Sequence, residues 1–373
     1  MKLNNPFLIA GYHSPEYFCD REAETVSMIN ALHNGRNVTL ISPRRMGKTG
    51  LIHHVFHQLK QQDPDIALFY MDIFSTQTLG EFVHLLAATV LGKLESAPKR
   101  TTSRIGRFIK SFRPVFTIDE FTGAPKITVD INPANEETSL IEIFQYLQST
   151  GKRCYIAIDE FQQIAEYHEK GVEALLRSHI QFMSNVNFIF SGSKKHVMQE
   201  MFMSAKRPFY QSTQILPIDK IDREKYFLFA AKFFIAQRRK LSADIFSYIY
   251  DKFNGHTWYI QSILNRLYSY SEKPDRISVN HAISEILAEY AYVYENLLSA
   301  YTANQTRLLK AVAKENCVKE INAGDFIARH KLKAASSVNM SLKKLIDKEL
   351  IYKTNQGYIV YDQFMNIWLR QQA

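Results

Sequence analysis

A chain of 373 residues, 46% of them apolar, is too long for one ordinary hydrophobic core, so two or three domains are expected. Cys19, Cys154 and Cys317 lie far apart in the sequence, a pattern that suggests neither a disulfide framework nor clustered metal ligands. No stretch reaches the roughly 18 apolar residues of a membrane span and none resembles a leader after Met1, so a reduced, cytoplasmic protein is expected. The formal charge of +9 leans toward polyanionic partners without naming one, and can equally serve solubility.

In chain order, Tyr17-Phe18-Cys19-Asp20-Arg21-Glu22 leads into a helix predicted from about Arg21 to Asn34. Asp20 is placed to cap it, its carboxylate accepting amide bonds left open in the first turn, and Gly35 to end it. Such a segment can touch the base of a nucleotide, which makes Tyr17, Phe18 and Arg21 candidates beside their packing role. Asn37-Val38-Thr39-Leu40-Ile41 reads as a buried strand running into Ser42-Pro43-Arg44-Arg45-Met46-Gly47-Lys48-Thr49-Gly50. The Gly-Lys-Thr half of a phosphate-binding loop is complete, while Ser42 stands where the common spacing has its first glycine. In this reading the backbone from Ser42 to Gly50 and the N-terminus of the next helix wrap a triphosphate. Gly47 permits the close approach, Lys48 meets the β and γ phosphates, and Thr49 offers a hydroxyl to Mg²⁺. A merely basic turn would not need the apolar strand before it or the helical face of Leu51, Val55 and Leu59 after it.

A strand over Ala67–Ile73 and a helix over residues 78–94 follow, then a basic stretch from Lys99 to Lys110. Ile118-Asp119-Glu120-Phe121 resembles an acidic metal-binding motif. Thr122-Gly123-Ala124-Pro125 and the alternation Ile127-Thr128-Val129 instead predict a β-hairpin insertion at about 113–131, with Asp119 and Glu120 near its turn. The same letters recur in Ile158-Asp159-Glu160-Phe161, but at the end of the continuous apolar run Cys154-Tyr155-Ile156-Ala157-Ile158, the pattern of a buried parallel strand. Ligand sites of α/β sheets lie outside such strand ends, so Asp159 is assigned to the metal with Thr49 and Glu160 to the attacking water. A third parallel strand, Val186–Phe190, ends in Ser191-Gly192-Ser193, whose hydroxyls could bond the γ-phosphate or the water, or cap the next helix. Arg207 could approach the terminal phosphate of its own or a neighbouring subunit, or be a surface residue before Pro208. Residues Gln214–Ile218 close a P-loop α/β domain of residues 1–218.

From Asp222 to about Glu289 the pattern is helical, with an apolar face of Tyr226, Phe229, Phe233 and Phe234. Phe253-Asn254-Gly255-His256-Thr257-Trp258-Tyr259-Ile260-Gln261 breaks one helix and starts another, and Ser271–Asn280 reads as turn-rich. The segment 219–299 is thus a small helical lid in which His256 either reads the nucleotide or packs. Residues 300–373 carry three helices, near 306–313, 321–328 and 336–346, and a hairpin at Leu350–Lys353 and Gly357–Tyr361, a winged helix-turn-helix. Its third helix could enter duplex DNA with Ser337, Asn339, Lys343 and Lys344, and Lys353 on the wing; such domains also serve protein contacts.

The phosphate loop, Ile158-Asp159-Glu160-Phe161-Gln162, Phe190-Ser191-Gly192-Ser193, Gly255-His256-Thr257-Trp258 and the winged-helix end together resemble the prokaryotic P-loop ATPases of the AAA+ and STAND superfamily, in the branch allied to origin-recognition-like proteins. The resemblance implies ATP and Mg²⁺, with Lys48 and Thr49 on phosphate and metal, Asp159 on the metal, Glu160 polarising water and Ser191 or Ser193 in the sensing position. Members commonly have glycine where Ser42 stands and proline where Thr257 stands. A slow, nucleotide-driven ATPase switch is the leading expectation. The alternatives are a DNA-binding regulator using ATP structurally, and a protein-interaction module of a signalling or defence assembly that self-associates with nucleotide.

Overall fold

The computed structural model describes residues 3–94, 108–118 and 125–372. The chain divides into two compact units. One holds Leu8–Tyr226 and His256–Trp258; the other holds Met1–Phe7, Phe227–Gly255 and Tyr259–Ala373.

The first unit begins with helix α1 (Glu22–His33). Strand β1 (Val38–Ile41), helix α2 (Lys48–Gln62), strand β2 (Ala67–Asp72) and helix α3 (Leu79–Leu94) follow. Strands β3 (Phe112–Ile118) and β4 (Pro125–Ile131) form a separate antiparallel pair, so the hairpin is present, while Asp119 and Glu120 lie outside the described residues, as does most of the basic stretch after Lys99. Helix α4 (Glu136–Ser149), strand β5 (Cys154–Asp159), helix α5 (Val172–Ile180), strand β6 (Val186–Gly192), helix α6 (Lys195–Met203) and strand β7 (Gln214–Pro217) complete it. The main sheet is parallel, in the order β2-β5-β6-β1-β7.

Strand alternation divides the core into two layers. Tyr155 and Ala157 of β5 point with Leu40 and Ile189 toward Leu32 of α1 and Leu51, Val55 and Leu59 of α2. Ile156 and Ile158 point with Phe69, Phe188 and Phe190 to the other side, where Phe82 and Leu86 of α3, Ile143, Phe144 and Leu147 of α4, and Met198 and Phe202 of α6 cover them. Because helices cover both faces, β1, β5 and β6 are buried along their whole length rather than at alternate positions.

Asp20 does not cap α1. Asp20 and Arg21 both adopt left-handed backbone (φ 55° and 75°), Arg21 takes the cap position without a side-chain cap bond, and the Asp20 carboxylate pairs with Lys225 Nζ at 2.8 Å.

In the second unit helix α7 (Arg223–Ala236, its first turn in the other unit) is followed by α8 (Ala243–Lys252), α9 (Thr257–Tyr270) and α10 (Arg276–Ser299). The predicted turn at Ser271–Asn280 is shorter than expected, because Asp275 and Ser278 form a reciprocal capping box that starts α10 at Arg276. Helices α11 (Ala303–Glu315), α12 (Gly324–Arg329) and α13 (Ala335–Asp347) and the hairpin β8 (Ile351–Lys353) and β9 (Tyr358–Val360) form the winged helix. A final helix α14 (Gln363–Gln371), not anticipated from the pattern, is capped by Asp362 and buries Phe364, Met365, Trp368 and Leu369. Phe364 packs edge-on against Phe253 and Tyr259.

Candidate nucleotide site

The site forms where β1, β5 and β6 end. Gly47, at φ 91°, turns the loop into α2, a left-handed conformation that a side chain would strain. Ser42 is not among the positive-φ residues, so glycine's freedom is not needed at that position. Its hydroxyl donates to Pro43 O at 3.0 Å and accepts from Lys48 Nζ at 3.3 Å. Lys48 also donates to the carbonyls of Ser42 and Pro43, both at 3.0 Å. Burial lowers its pKa to about 8, against the opposing pull of Glu160 and Asp159.

Thr49 Oγ1 donates to Asp159 Oδ2 at 2.7 Å, joining the loop to the end of β5. Tyr70 of β2 donates to the same oxygen at 2.9 Å, and the Glu160 amide to Oδ1 at 3.0 Å. Burial, then the Asp159 charge, raises the Tyr70 pKa, so the phenol remains a donor. Glu160 occupies left-handed backbone (φ 56°), a conformation that costs a non-glycine residue on the order of 1–3 kcal/mol. Its Oε2 accepts from Ser193 Oγ at 2.8 Å and from Gln162 Nε2. Gln162 in turn accepts the Ser193 amide at 3.2 Å, and Arg44 Nε donates to Ser193 Oγ at 3.1 Å.

Of the two serines, Ser193 therefore touches Glu160, while the Ser191 hydroxyl is buried with no hydrogen-bond partner among the described residues. Arg45, at φ 67°, lies over the Trp258 ring at 4.0 Å, and its carbonyl accepts the Trp258 amide at 3.2 Å. Met46 is buried; its carbonyl accepts from Arg21 Nη2 at 3.4 Å, and Arg21 also bonds Asp219 O and Glu24. Gly50 faces the ring of Phe18, which stacks on His54 at 4.3 Å. His256 is half-buried, and burial lowers its pKa to about 4 with help from Lys220 and Arg45. Thr257 opens α9, a first-turn position where proline would also fit.

Arg207 is not brought to the loop. Its guanidinium pairs with Glu173 at the start of α5 and, at 3.8 Å, with Glu200 of α6, because the chain after α6 folds back beside those helices. Sequence reasoning assigned no role to Tyr70, and none to Gln162 although the motif containing it was recognised. In the winged helix, Asn339, Lys343, Lys344 and Lys353 are exposed and Ser337 is half-buried. Asn339 accepts from Asn322 Nδ2 at 2.8 Å.

The residues present fit a Mg-nucleotide. Thr49 and Asp159 offer adjacent hard oxygen donors, and Lys48 is a buried cation whose desolvation an anionic phosphate would offset.

A parallel sheet with a left-handed glycine, a buried lysine and a hydroxyl–carboxylate pair at its strand ends defines a P-loop nucleoside triphosphatase. The chain belongs to the family described as "ATPase domain predominantly from Archaea", whose model matches residues 18–263, and residues 292–371 match a winged helix domain model. It is a P-loop ATPase with a C-terminal winged helix. Among solved structures, it is similar to a Walker-type ATPase of Pyrococcus abyssi (15% identity, TM-score 0.67, 98% of this chain and 99% of that one). It is also similar to the Aeropyrum pernix ORC2 protein (14%, 0.54, 98% of each chain) and to the ORC1 protein of the same organism, solved in complex with DNA (11%, 0.53, 99% and 96%). At these identities the likeness concerns the fold. No curated protein matches the chain.

Proposed function

We propose that the protein binds ATP with Mg²⁺ and hydrolyses it slowly to ADP and phosphate, as a nucleotide-driven switch. The observation that carries this reading is the pair of contacts around Lys48: Thr49 to Asp159 at 2.7 Å and Ser193 to Glu160 at 2.8 Å. The loop from Ser42 to Gly50 holds the phosphates, with Lys48 turning from its loop carbonyls to the β and γ oxygens. Thr49 and Asp159 would hold Mg²⁺, which when bound neutralises charge developing on the phosphate oxygens. Glu160 orients the attacking water and receives its proton at the carboxylate, while Ser193 and Gln162 fix that carboxylate's direction. In-line attack forms the new P–O bond as the bond to ADP breaks, with no covalent protein intermediate. Arg21 and Arg45 brace the loop, and His256 sits as a neutral side chain beside Arg45.

For the switch, ATP and ADP must bind the protein's alternative states with different affinity. The lid (219–299) and the winged helix (300–373) are the elements assigned to move. A second reading, a DNA-binding regulator, is supported by the exposed Asn339, Lys343 and Lys344 on α13. Nucleotide-dependent self-association in a signalling or defence assembly is the third.

The test is ATP turnover with Mg²⁺ for wild type and Glu160→Gln, each with and without duplex DNA. Retained ATP binding with turnover lost in the variant is expected. Equal turnover in both proteins would refute the role of Glu160, and salt-dependent DNA binding without any turnover would favour the regulator.

A further inference from the structure

We propose that Tyr70 is a positioning residue for the metal-binding carboxylate, its hydroxyl holding Asp159 in the orientation that Mg²⁺ requires. This rests on the ATPase reading above. Tyr70 lies on β2, next to β5, in the register Tyr70↔Ala157 and Asp72↔Asp159, which lets a long side chain from the neighbouring strand reach the Asp159 carboxylate. Asp159 is then gripped from three directions. Oδ2 accepts from Thr49 of α2 and Tyr70 of β2, and Oδ1 accepts the amide of Glu160 on its own chain segment.

A carboxylate's terminal torsion is soft, so without such partners it samples a broad range of directions. Magnesium is intolerant of that freedom, because it demands near-octahedral geometry and draws on only one or two protein carboxylates. Thr49 is itself a metal candidate and would have to share its hydroxyl between Asp159 and the ion. Tyr70 carries no such competing task. Its ring is also fixed, lying 4.7 Å from the His53 ring of α2, which in turn stacks on Tyr12 at 6.3 Å. The phenol is thus a rigid donor set by packing against the helix that follows the phosphate loop.

Tyr70→Phe removes the donor and keeps the ring. The experiment measures ADP affinity by calorimetry, with Mg²⁺ and with EDTA, for wild type, Tyr70→Phe and Asp159→Asn, alongside each protein's unfolding midpoint. Partners that orient a metal ligand are typically worth 10- to 100-fold in metal affinity, so the Mg²⁺-dependent gain in ADP affinity should fall about 10-fold in Tyr70→Phe while the affinity in EDTA stays at the wild-type value. A Mn²⁺ titration of the ADP complex, read by electron paramagnetic resonance, should show the same loss of metal affinity without any turnover. A gain that is lost in Asp159→Asn but full in Tyr70→Phe overturns this inference alone. Affinity lost equally in EDTA and Mg²⁺ means a structural role for the ring and overturns it as well. No gain in the wild type overturns the ATPase reading, and this inference with it.

Discussion

Gly192, at the end of β6, has no room for a methyl group. A Cβ there would lie 2.4 Å from Gln162 Oε1 and 2.4 Å from Met198 Sδ, whereas unstrained non-bonded contacts sit at roughly 3.5–4.0 Å. Both neighbours are buried, so each must retreat by about 1 Å within packed surroundings. The Gln162 amide cannot retreat and keep its bonds, one accepted from the Ser193 amide at 3.2 Å and one donated to Glu160. Overpacking of this kind costs about 1–3 kcal/mol and a disturbed hydrogen bond about 1 kcal/mol, so Gly192→Ala should destabilise the protein by about 2–4 kcal/mol. It should also lower ATP turnover, because Glu160 loses one of the two groups that aim it. Gly92→Ala is the matched control: exposed, helical and with nothing within 4 Å of the added carbon, it should stabilise by about 0.5–1 kcal/mol. Urea unfolding monitored by circular dichroism gives both values, and steady-state turnover gives the second readout. Wild-type stability and turnover in Gly192→Ala would refute the reasoning.

His256 has a pKa lowered from 6.5 to about 4 by burial and by Lys220 and Arg45, so the folded state refuses a proton that the unfolded state accepts between those values. Its contribution to stability is present above pH 6.5 and is lost as pH falls toward 4, by at most about 3 kcal/mol, and the difference in unfolding free energy between wild type and His256→Gln should therefore change over that window and be flat from pH 7 to 8. Arg207→Ala leaves the Glu173 carboxylate, already raised in pKa by burial, without its cation. It should cost about 1–3 kcal/mol, recovered in part by adding Glu173→Gln, with turnover unchanged; a turnover loss of about 1,000-fold at wild-type stability would instead make Arg207 a catalytic arginine.

The phosphate loop, the parallel strands and the antiparallel pair at the first Ile-Asp-Glu-Phe were legible in the sequence, because each is written in consecutive residues. The letters Thr122-Gly123-Ala124-Pro125 predict a hairpin after the first repeat, where β3 and β4 pair, and an unbroken apolar run predicts the buried strand that ends in the second. The spacing Gly47-Lys48-Thr49 likewise fixes a helix start and the groups presented there.

Only the tertiary structure decided which of these groups meet. Tyr70 is 89 residues from Asp159 and Thr49 is 110, and their convergence depends on β2 and β5 being neighbours in register, which local periodicity does not encode. Asp20 shows the converse: a residue type suited to capping is turned away by two left-handed residues and taken by Lys225, 205 positions on. Ser191 and Ser193 are equivalent by composition and both are buried, yet the first lies within the strand and the second just past its end, beside Glu160. Local sequence sets backbone conformation and which residues can do chemistry; strand order and packing, which depend on contacts between distant segments, set which of them do it together.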